Sequence, residues 1–231
     1  MKLTEDNIDK TVENLREPLV KFAQQTVRMP SLPDEEHTVQ ELIASKLKSL
    51  ETEVDVFPCQ FEQLKDHPAF CDDGFSPDKR IDVVGRWRGN GNGRSLILNG
   101  HVDVVPTGDE TLWDDSPWSG AVKDGRIYGR GSCDMKAGLS SGIFALEALK
   151  KLNFKPDGEI LFESVVGEES GGAGTLAAIE RGYSADGAVI LEPTSLCLSP
   201  IQSGALTFRL TIPGKATHAA MKWDGINAIE K

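Results

Sequence analysis

Two residues at the end of a short apolar stretch could form a metal-binding pair. His101 and Asp103 stand two apart in Gly-His-Val-Asp, directly after residues 95–99. Alternate residues of a strand point the same way, so these two side chains can meet. A metal-bound imidazole commonly donates its other N–H to a carboxylate, which fixes the tautomer of the ring. The spacing predicts His101 as a ligand and Asp103 as the residue that orients it, and a structural hydrogen-bonded pair explains the same short motif equally well.

Asp134 stands in a glycine-rich segment that could aim a carboxylate inward. Gly129, Gly131 and Gly138 surround it, and glycine lets a backbone turn sharply. Asp134 is therefore a candidate for the same site. A helix N-cap before Lys136 is the other interpretation, and from the local sequence alone it is the stronger one because Asp is a preferred N-cap residue.

Three further carboxylates follow apolar stretches. Glu168 and Glu169 come after residues 159–166, and Glu192 comes after residues 187–191. Neighbours on a regular strand face opposite sides, so Glu168 and Glu169 can serve one site only where the backbone is irregular, as the glycines around them permit. One of the pair could then bind metal while the other takes a proton from an activated water. A solvated acidic pair is the alternative, and the apolar stretch before it counts against that interpretation.

The elements that would position these residues can be predicted from apolar spacing. Strands that alternate with helices indicate an α/β fold, in which a mixed sheet has helices on both faces. We expect Pro18 to bend or restart the first helix. The predicted helices cover residues 8–27, 39–50, 139–152 and 172–181, and the predicted strands cover residues 53–57, 81–87, 95–99, 159–166 and 187–191.

The pattern changes after residue 200, which predicts a second domain. Residues 205–212 alternate between apolar and polar like an antiparallel strand with one wet face. A helix is predicted to begin near Asp224, and the chain stops within it at Lys231. We therefore expect a first domain over 1–200 and an incomplete second domain over 201–231.

Composition narrows the class of protein. The net charge of −11 argues against a nucleic-acid or anionic-membrane partner. The N-terminus lacks an apolar signal region, and no apolar run reaches the length of a membrane span. The four cysteines form no C-x-x-C pair, so neither a disulfide framework nor a zinc ribbon is expected. These features together predict a cytoplasmic protein.

Four motifs in register resemble a known family. They are Gly-His-Val-Asp-Val-Val-Pro at 100–106, Gly-Arg-Gly at 129–131 with Asp-Met-Lys at 134–136, the pair at 168–169 and Leu-Glu-Pro-Thr at 191–194. In order and spacing they resemble the family of acetylornithine deacetylase, succinyl-diaminopimelate desuccinylase, aminoacylase and glutamate carboxypeptidase. The resemblance implies a zinc-peptidase-like catalytic domain, followed by the start of a smaller α+β lid or dimerisation domain.

The resemblance also implies roles for five of the six candidate residues. It implies two divalent metal ions, with Asp134 bridging both, His101 and Glu192 completing one site, and Glu169 binding the other. Glu168 would be the general base. Zinc is the expected metal, and cobalt or manganese can use the same ligands. A glutamate at position 192 is typical of the deacylase and carboxypeptidase branches.

His218 lies in the motif Gly-Lys-Ala-Thr-His-Ala at 214–219. The motif resembles the lid or dimerisation segment of the family, whose histidine stabilises the oxyanion, often across a homodimer interface. Outside that context, His218 is best interpreted as an exposed loop residue. The family's second metal needs a later histidine, and none follows His218. We therefore expect the chain to be a fragment of a longer enzyme.

The leading hypothesis is a metal-dependent amidohydrolase that removes an acyl group from an N-acyl amino acid. A peptidase of the same chemistry, acting on C-terminal glutamate or short peptides, is the nearest rival. A third hypothesis is a non-catalytic, truncated metal-binding module.

Overall fold

A computed structural model describes residues 3–76, 79–201, 203–204, 208 and 210–231 of the protein. The chain divides into two compact units, Met1–Pro193 and Thr194–Lys231. The boundary predicted after residue 200 falls inside the second unit. The assignment of 201–231 to a lid or dimerisation domain stays a prediction.

Two helices open the first unit. Helix α1 spans Glu5–Val27 and helix α2 spans His37–Ser49. The Thr4 hydroxyl begins α1 by accepting a hydrogen bond from the Asn7 N–H, 3.4 Å away. Among the described residues, no helix combines the length and the apolar character that a membrane crossing requires.

Helix α1 does not restart at Pro18, which corrects part of the prediction. A proline removes one backbone hydrogen bond from a helix interior. Here Leu15 on one side of Pro18 and Phe22 and Val27 on the other are buried in the core. Most helix stability in proteins comes from such packing, so the apolar face keeps the helix continuous.

A mixed five-stranded sheet forms the centre of the first unit, as predicted. The strands of the described residues are, in chain order, β1 Glu53–Pro58, β2 Ile81–Trp87, β3 Leu96–His101, β4 Ala121–Lys123, β5 Arg126–Tyr128, β6 Ile160–Val165 and β7 Gly187–Ile190, and helix α3 at Phe61–Leu64 lies between β1 and β2 in the chain. Within the five-stranded sheet the order is β1-β2-β6-β3-β7. Strand β2 pairs antiparallel with β1 and with β6, whereas β3 lies parallel between β6 and β7.

The central strands are covered on both faces. Adjacent residues of a strand point to opposite faces, yet Val83 and Val84 on β2 are both buried, and so are Leu161 and Phe162 on β6. Helix α2 packs against β2, helix α4 at Ala137–Lys151 packs against β3 and β6, and helix α5 at Ala173–Glu180 packs against β6. The predicted α/β fold is therefore confirmed.

Strand β7 differs from the other predicted strands. Its residues are exposed, including the apolar side chains of Val189 and Ile190, at 48% and 53%. The apolar stretch at 187–191 is typical of a buried strand, but β7 lies at the edge of the sheet and pairs only with β3 among the described residues.

A hairpin outside the main sheet was not predicted from the sequence. Strands β4 and β5 pair antiparallel across Asp124 and Gly125, both of which have positive φ. An Asp-Gly pair with positive φ at both residues is the signature of a type I′ hairpin turn. The signal was present in the sequence, but the flanking strands are too short to show a clear alternation.

The second unit contains little regular structure among its described residues. A short 3₁₀ helix spans Ala219–Asp224, and Lys215 pairs with Ile226 through two hydrogen bonds of 3.0 Å. The helix predicted to begin near Asp224 is wrong, because Gly225 is extended and the next residue joins this pair. Residues 205–207 and 209 of the strand predicted at 205–212 lie outside the described residues, and the described residues 208 and 210–212 are not in a strand.

Candidate metal centre

Three parallel strands end at the same edge of the sheet and deliver the candidate residues there. His101 closes β3 and pairs with Val165 at the end of β6. The Glu168–Glu169 pair follows β6, and Glu192 follows β7 after one more pairing residue, Leu191, whose N–H donates to Asn99 of β3. Ligand sites in α/β folds form at the carboxyl ends of strands for this reason.

The His101 ring is buried and its orientation is determined by hydrogen bonding. Its Nδ1 lies 2.9 Å from the Asp103 main-chain oxygen. A carbonyl only accepts hydrogen bonds, so Nδ1 carries the proton, and in the neutral ring Nε2 presents a lone pair. Nε2 lies 3.1 Å from Asp134, 3.5 Å from Glu192 and 3.7 Å from Glu168. A neutral imidazole in this tautomer can bind a metal through Nε2.

The carboxylate of Asp103 has a further set of partners. It lies 3.5 Å from Nδ1 of His101, longer than the main-chain contact. Its oxygens accept hydrogen bonds from the main-chain N–H groups of Glu168 and Glu169, at 3.3 Å and 3.1 Å. Asp103 therefore touches the ring mainly through its carbonyl, and its side chain holds the backbone of the glutamate pair.

Asp134 does not cap a helix. It lies within the π-helical turn Ser132–Lys136 with non-helical φ and ψ of −117° and 101°, and helix α4 starts after it without a side-chain cap. The N-cap interpretation is therefore wrong, and the carboxylate faces His101 instead. Gly131 allows this turn because its φ is +77° and a Cβ there would lie 2.6 Å from Val104.

Lys136 attaches the Asp134 turn to the end of helix α1 and the residues that follow it. Its side chain is fully buried, and Nζ donates to the main-chain oxygens of Thr26 and Met29 at 3.0 Å and 2.8 Å. Burial lowers its pKa to about 7. This role of Lys136 has no signal in the local sequence, because its partners lie more than a hundred residues away along the chain.

The turn after β6 has the irregular backbone that two neighbouring glutamates need. Gly167, Gly171 and Gly172 all have positive φ. Two main-chain hydrogen bonds close the turn. The Gly171 N–H donates to the main-chain oxygen of Glu168 at 3.2 Å, and the Gly172 N–H donates to the main-chain oxygen of Gly167 at 2.7 Å. Glu168 and Glu169 can therefore both approach His101.

The donor atoms fall into two sets that could each hold a metal ion. His101, Asp134 and Glu169 form one set, and His101, Glu168 and Glu192 form the other. Within each set the candidate ligand atoms all lie within 4.8 Å of one another. Imidazole nitrogen and carboxylate oxygen are common ligands of zinc and similar divalent ions. The residues present therefore fit a divalent metal.

Electrostatics supports the same conclusion. Burial raises the pKa values of Glu168, Glu169 and Glu192, and the charge of Asp134 raises them further, while His101 lowers them. The pKa of Glu192 reaches about 7. The charge of one imidazole cannot balance the four carboxylates of Asp134, Glu168, Glu169 and Glu192, so a bound cation would relieve their mutual repulsion.

The pKa of His101 responds to the same charges. Burial lowers it, but the hydrogen bond and charge of Asp103, followed by the charges of Glu168 and Glu192, outweigh burial and raise the pKa to about 9. A second ring proton at Nε2 and a metal ion bound at Nε2 are therefore alternative ways to balance the negative charge of these carboxylates.

His218 lies in the second unit and is described there by itself. Its Nδ1 accepts a hydrogen bond from the Ala220 N–H at 3.2 Å, at the start of the 3₁₀ helix. An accepting Nδ1 leaves the proton of a neutral ring on Nε2, which is then a hydrogen-bond donor. The predicted contact with an oxyanion stays a prediction.

Comparison with known proteins identifies relatives by sequence. The sequence model of peptidase family M20/M25/M40 matches residues 97–220. N-formyl-4-amino-5-aminomethyl-2-methylpyrimidine deformylase of Halalkalibacterium halodurans is 41% identical over 148 residues, which is 60% of this chain and 34% of that protein. A probable succinyl-diaminopimelate desuccinylase of Staphylococcus aureus is 36% identical over 143 residues, which is 61% of this chain and 35% of that protein. The chain thus spans little more than a third of the length of these relatives.

Solved structures share the fold. Human carnosine dipeptidase 1 matches with a TM-score of 0.66 and 19% identity, over 80% of this chain and 40% of its own. The M20 family metallo-carboxypeptidase Sso-CP2 of Sulfolobus solfataricus matches with a TM-score of 0.58 and 20% identity, over 75% of this chain and 36% of its own. The family match at 97–220 contains all seven residues predicted for site chemistry, from His101 to His218. This confirms the resemblance found in the motifs, and the chain belongs to peptidase family M20/M25/M40.

Proposed function

We propose that the chain carries the metal-binding part of an amidohydrolase that removes an acyl group from an N-acyl amino acid. One observation carries this proposal: the buried His101 ring presents Nε2 to Asp134, Glu192 and Glu168 within 3.7 Å. The names of the deformylase and desuccinylase relatives support the removal of a small acyl group from nitrogen.

Two divalent ions, zinc by preference, would be held by the residues around His101. Asp134 would bridge them, His101 and Glu192 would complete one site, and Glu169 would bind the other ion. Bound divalent ions supply Lewis-acid polarisation of an amide carbonyl and make a nearby water more acidic.

The chain's own residues would orient the reactants and move the proton. Glu168 would act as general base, taking a proton from the attacking water and delivering it to the amide nitrogen as the C–N bond breaks. Its side chain is about half exposed, at 47%, so water can reach it. The hydrogen bonds from Glu168 and Glu169 to Asp103 would keep both carboxyl groups in place during this transfer.

His218 would stabilise the oxyanion that forms as water attacks. Its Nε2–H is the donor form that this role requires. A homodimer of the whole protein, in which this histidine serves the partner's site, belongs to the same proposal. So does a cytoplasmic location, which suits the unpaired cysteines Cys59, Cys71, Cys133 and Cys197.

A substrate panel with metal analysis tests the proposal. We expect zinc-loaded protein to hydrolyse N-acyl amino acids, such as acetylornithine and N-formyl and N-succinyl analogues, faster than dipeptides or peptides that end in glutamate. The variant Glu168→Gln should keep its metal and lose about 10²- to 10⁴-fold in kcat, because the proton acceptor is removed. The exposed Glu62→Gln, whose partner is Lys65, is the matched control and should behave like the wild type.

Three results would count against parts of the proposal. Faster cleavage of dipeptides would favour the peptidase hypothesis. Metal binding without turnover of any substrate would favour the non-catalytic module. Full activity in Glu168→Gln would remove the general-base assignment.

A further inference from the structure

Arg80 is a fully buried guanidinium outside the candidate metal centre. It directly precedes β2, and none of its side chain is exposed. Its Nε donates to the Glu36 carboxylate at 3.0 Å and its Nη1 donates to Asp73 at 2.5 Å. Both partners are also buried. A buried charge lowers stability unless it is paired and hydrogen-bonded. Separating Asp73 from Arg80 would therefore be unfavourable, and the pair attaches the loop of Asp73 to the start of β2.

Asp73 connects Arg80 to the turn that carries the glutamate pair. The Oδ2 atom that accepts from Arg80 also accepts from the Ser170 hydroxyl at 2.7 Å. Ser170 directly follows Glu169 in the chain. Two consecutive hydrogen bonds therefore link Arg80 to the neighbour of a proposed metal ligand.

The same turn contacts Arg80 and its loop at two glycines. Gly167 has a φ of +73°, and a Cβ there would lie 2.6 Å from Nη2 of Arg80. Gly171 has a φ of +139°, and a Cβ there would lie 2.8 Å from Cβ of Cys71. Nη2 has no hydrogen-bond partner among the described residues. The turn thus packs closely on Arg80 and on the loop that Arg80 holds.

We propose that the linked side chains of Arg80, Asp73 and Ser170 act as a positioning network for the Glu168–Glu169 turn. None of the three is a proposed ligand or reacting group. The inference rests on the proposed function, because it assumes that the turn supplies a metal ligand and a base.

The Glu168–Glu169 turn makes two separate sets of hydrogen bonds, one to Asp103 and one to Asp73. Asp103 accepts from the main-chain N–H groups of Glu168 and Glu169. Ser170 fixes the far side of the turn to Asp73. With only the first contact, the backbone could pivot about Asp103, and the carboxylates of the pair would move relative to His101. Groups that orient ligands commonly change metal affinity about 10- to 100-fold when they are removed.

Cobalt(II) binding to the purified protein tests the network without relying on turnover. Ser170→Ala removes the hydroxyl but leaves the Arg80–Asp73 pair intact. We expect the visible absorption spectrum of the cobalt-loaded protein to change, and the cobalt affinity to fall about tenfold. Ser170→Thr keeps a hydroxyl and should restore both. Ser49→Ala removes an exposed hydroxyl that bonds to Lys46 and is the matched control.

The outcomes separate this inference from the proposed function. If wild type and Ser49→Ala bind cobalt while Ser170→Ala gives the same spectrum and affinity, the network is overturned and the metal site stands. If folded wild type binds no cobalt, the metal site is overturned and the inference falls with it. If Ser170→Ala unfolds, Ser170→Val replaces it, because valine has the shape of threonine without the hydroxyl, and the same cobalt spectrum and affinity in Ser170→Val as in Ser170→Thr would also overturn the network.

Discussion

The first unit contains two clusters of charge, one buried around Arg80 and one partly exposed around His101, and their charges are balanced in different ways. In the Arg80 cluster, one guanidinium donates to both Glu36 and Asp73. In the His101 cluster, one imidazole nitrogen faces Asp134, Glu168 and Glu192. The first cluster obtains its counter-charge from the chain, whereas the second has more carboxylate than the chain can compensate. The difference fits a structural role for the Arg80 cluster and the proposed metal site at the His101 cluster.

Burial raises the pKa values of carboxyl groups in both clusters, but with different consequences. It raises the pKa of Glu36 to about 7, against the opposing charge of Arg80. A partly protonated Glu36 leaves the Arg80 cluster close to neutral. In the His101 cluster the side chains of Asp134 and Glu168 are about half exposed, at 54% and 47%, so water and ions can reach them.

The largest expected effect is the loss of metal from the His101 cluster. Asp134→Ala should reduce bound zinc to near zero and abolish hydrolysis, because Asp134 shares its donor set with His101 and is the proposed bridge. Metal analysis of the dialysed protein measures this. Asp9→Ala, on the exposed face of α1, is the control and should retain its metal. Normal metal content in Asp134→Ala would contradict the proposed bridge.

The second-largest expected effect is a loss of stability when the Arg80 cluster is disrupted. Arg80→Met should lower the free energy of unfolding by about 3–5 kcal/mol, because Glu36 and Asp73 would be left buried without their partner. Denaturant unfolding followed by circular dichroism measures this. Arg88→Met breaks an exposed pair with Glu53 and should leave the midpoint almost unchanged. Equal losses in the two variants would refute the structural role of the buried pair.

Asp82 is another fully buried carboxylate, and among the described residues it accepts no hydrogen bond from a guanidinium. Burial raises the pKa of Asp82 from its ordinary 3.8 to about 7, although the nearby Cys59 thiol and the hydrogen bond from the Val166 N–H lower it. The folded chain therefore holds a proton on Asp82 more tightly than the unfolded chain does. This contribution to stability is complete below pH 3.8 and is lost as the pH rises through about 7.

Asp82→Asn should remove that pH dependence, and the change across one pH unit is smaller than the loss expected for Arg80→Met. The amide keeps an oxygen that accepts from Val166 and has no proton to lose. Between pH 4 and 7, the free energy of unfolding of the wild type should fall relative to the variant by up to about 1.4 kcal/mol per pH unit. Urea unfolding across this range measures the difference, from which groups common to both proteins cancel. A difference that does not vary with pH would show that Asp82 titrates normally.

The sequence predicted those parts of the site that depend on local pattern. His101, Glu168 and Glu192 follow apolar stretches, and parallel strands bring such positions to one edge of a sheet. Asp134 was harder to interpret, because an N-cap and a ligand have the same local sequence. The fold distinguishes them, since the backbone at Asp134 is not helical and its carboxylate faces His101.

The Arg80 network could not have been predicted from local pattern. Its members stand at positions 73, 80 and 170, and no periodicity links them. A buried arginine beside a strand looks the same in sequence as an exposed one. The same holds for the exposure of β7, because an apolar strand carries no mark of its place at the edge of a sheet.

The family, the α/β class and the residue types able to bind a metal follow from the sequence, because they depend on residue type and on spacing along the chain. The tautomer of His101, fixed by the Asp103 carbonyl, and the attachment of the Glu168–Glu169 turn to Asp103 and Asp73 follow only from the folded structure. Those features depend on contacts between distant segments, and such contacts exist only once the sheet has brought the segments together.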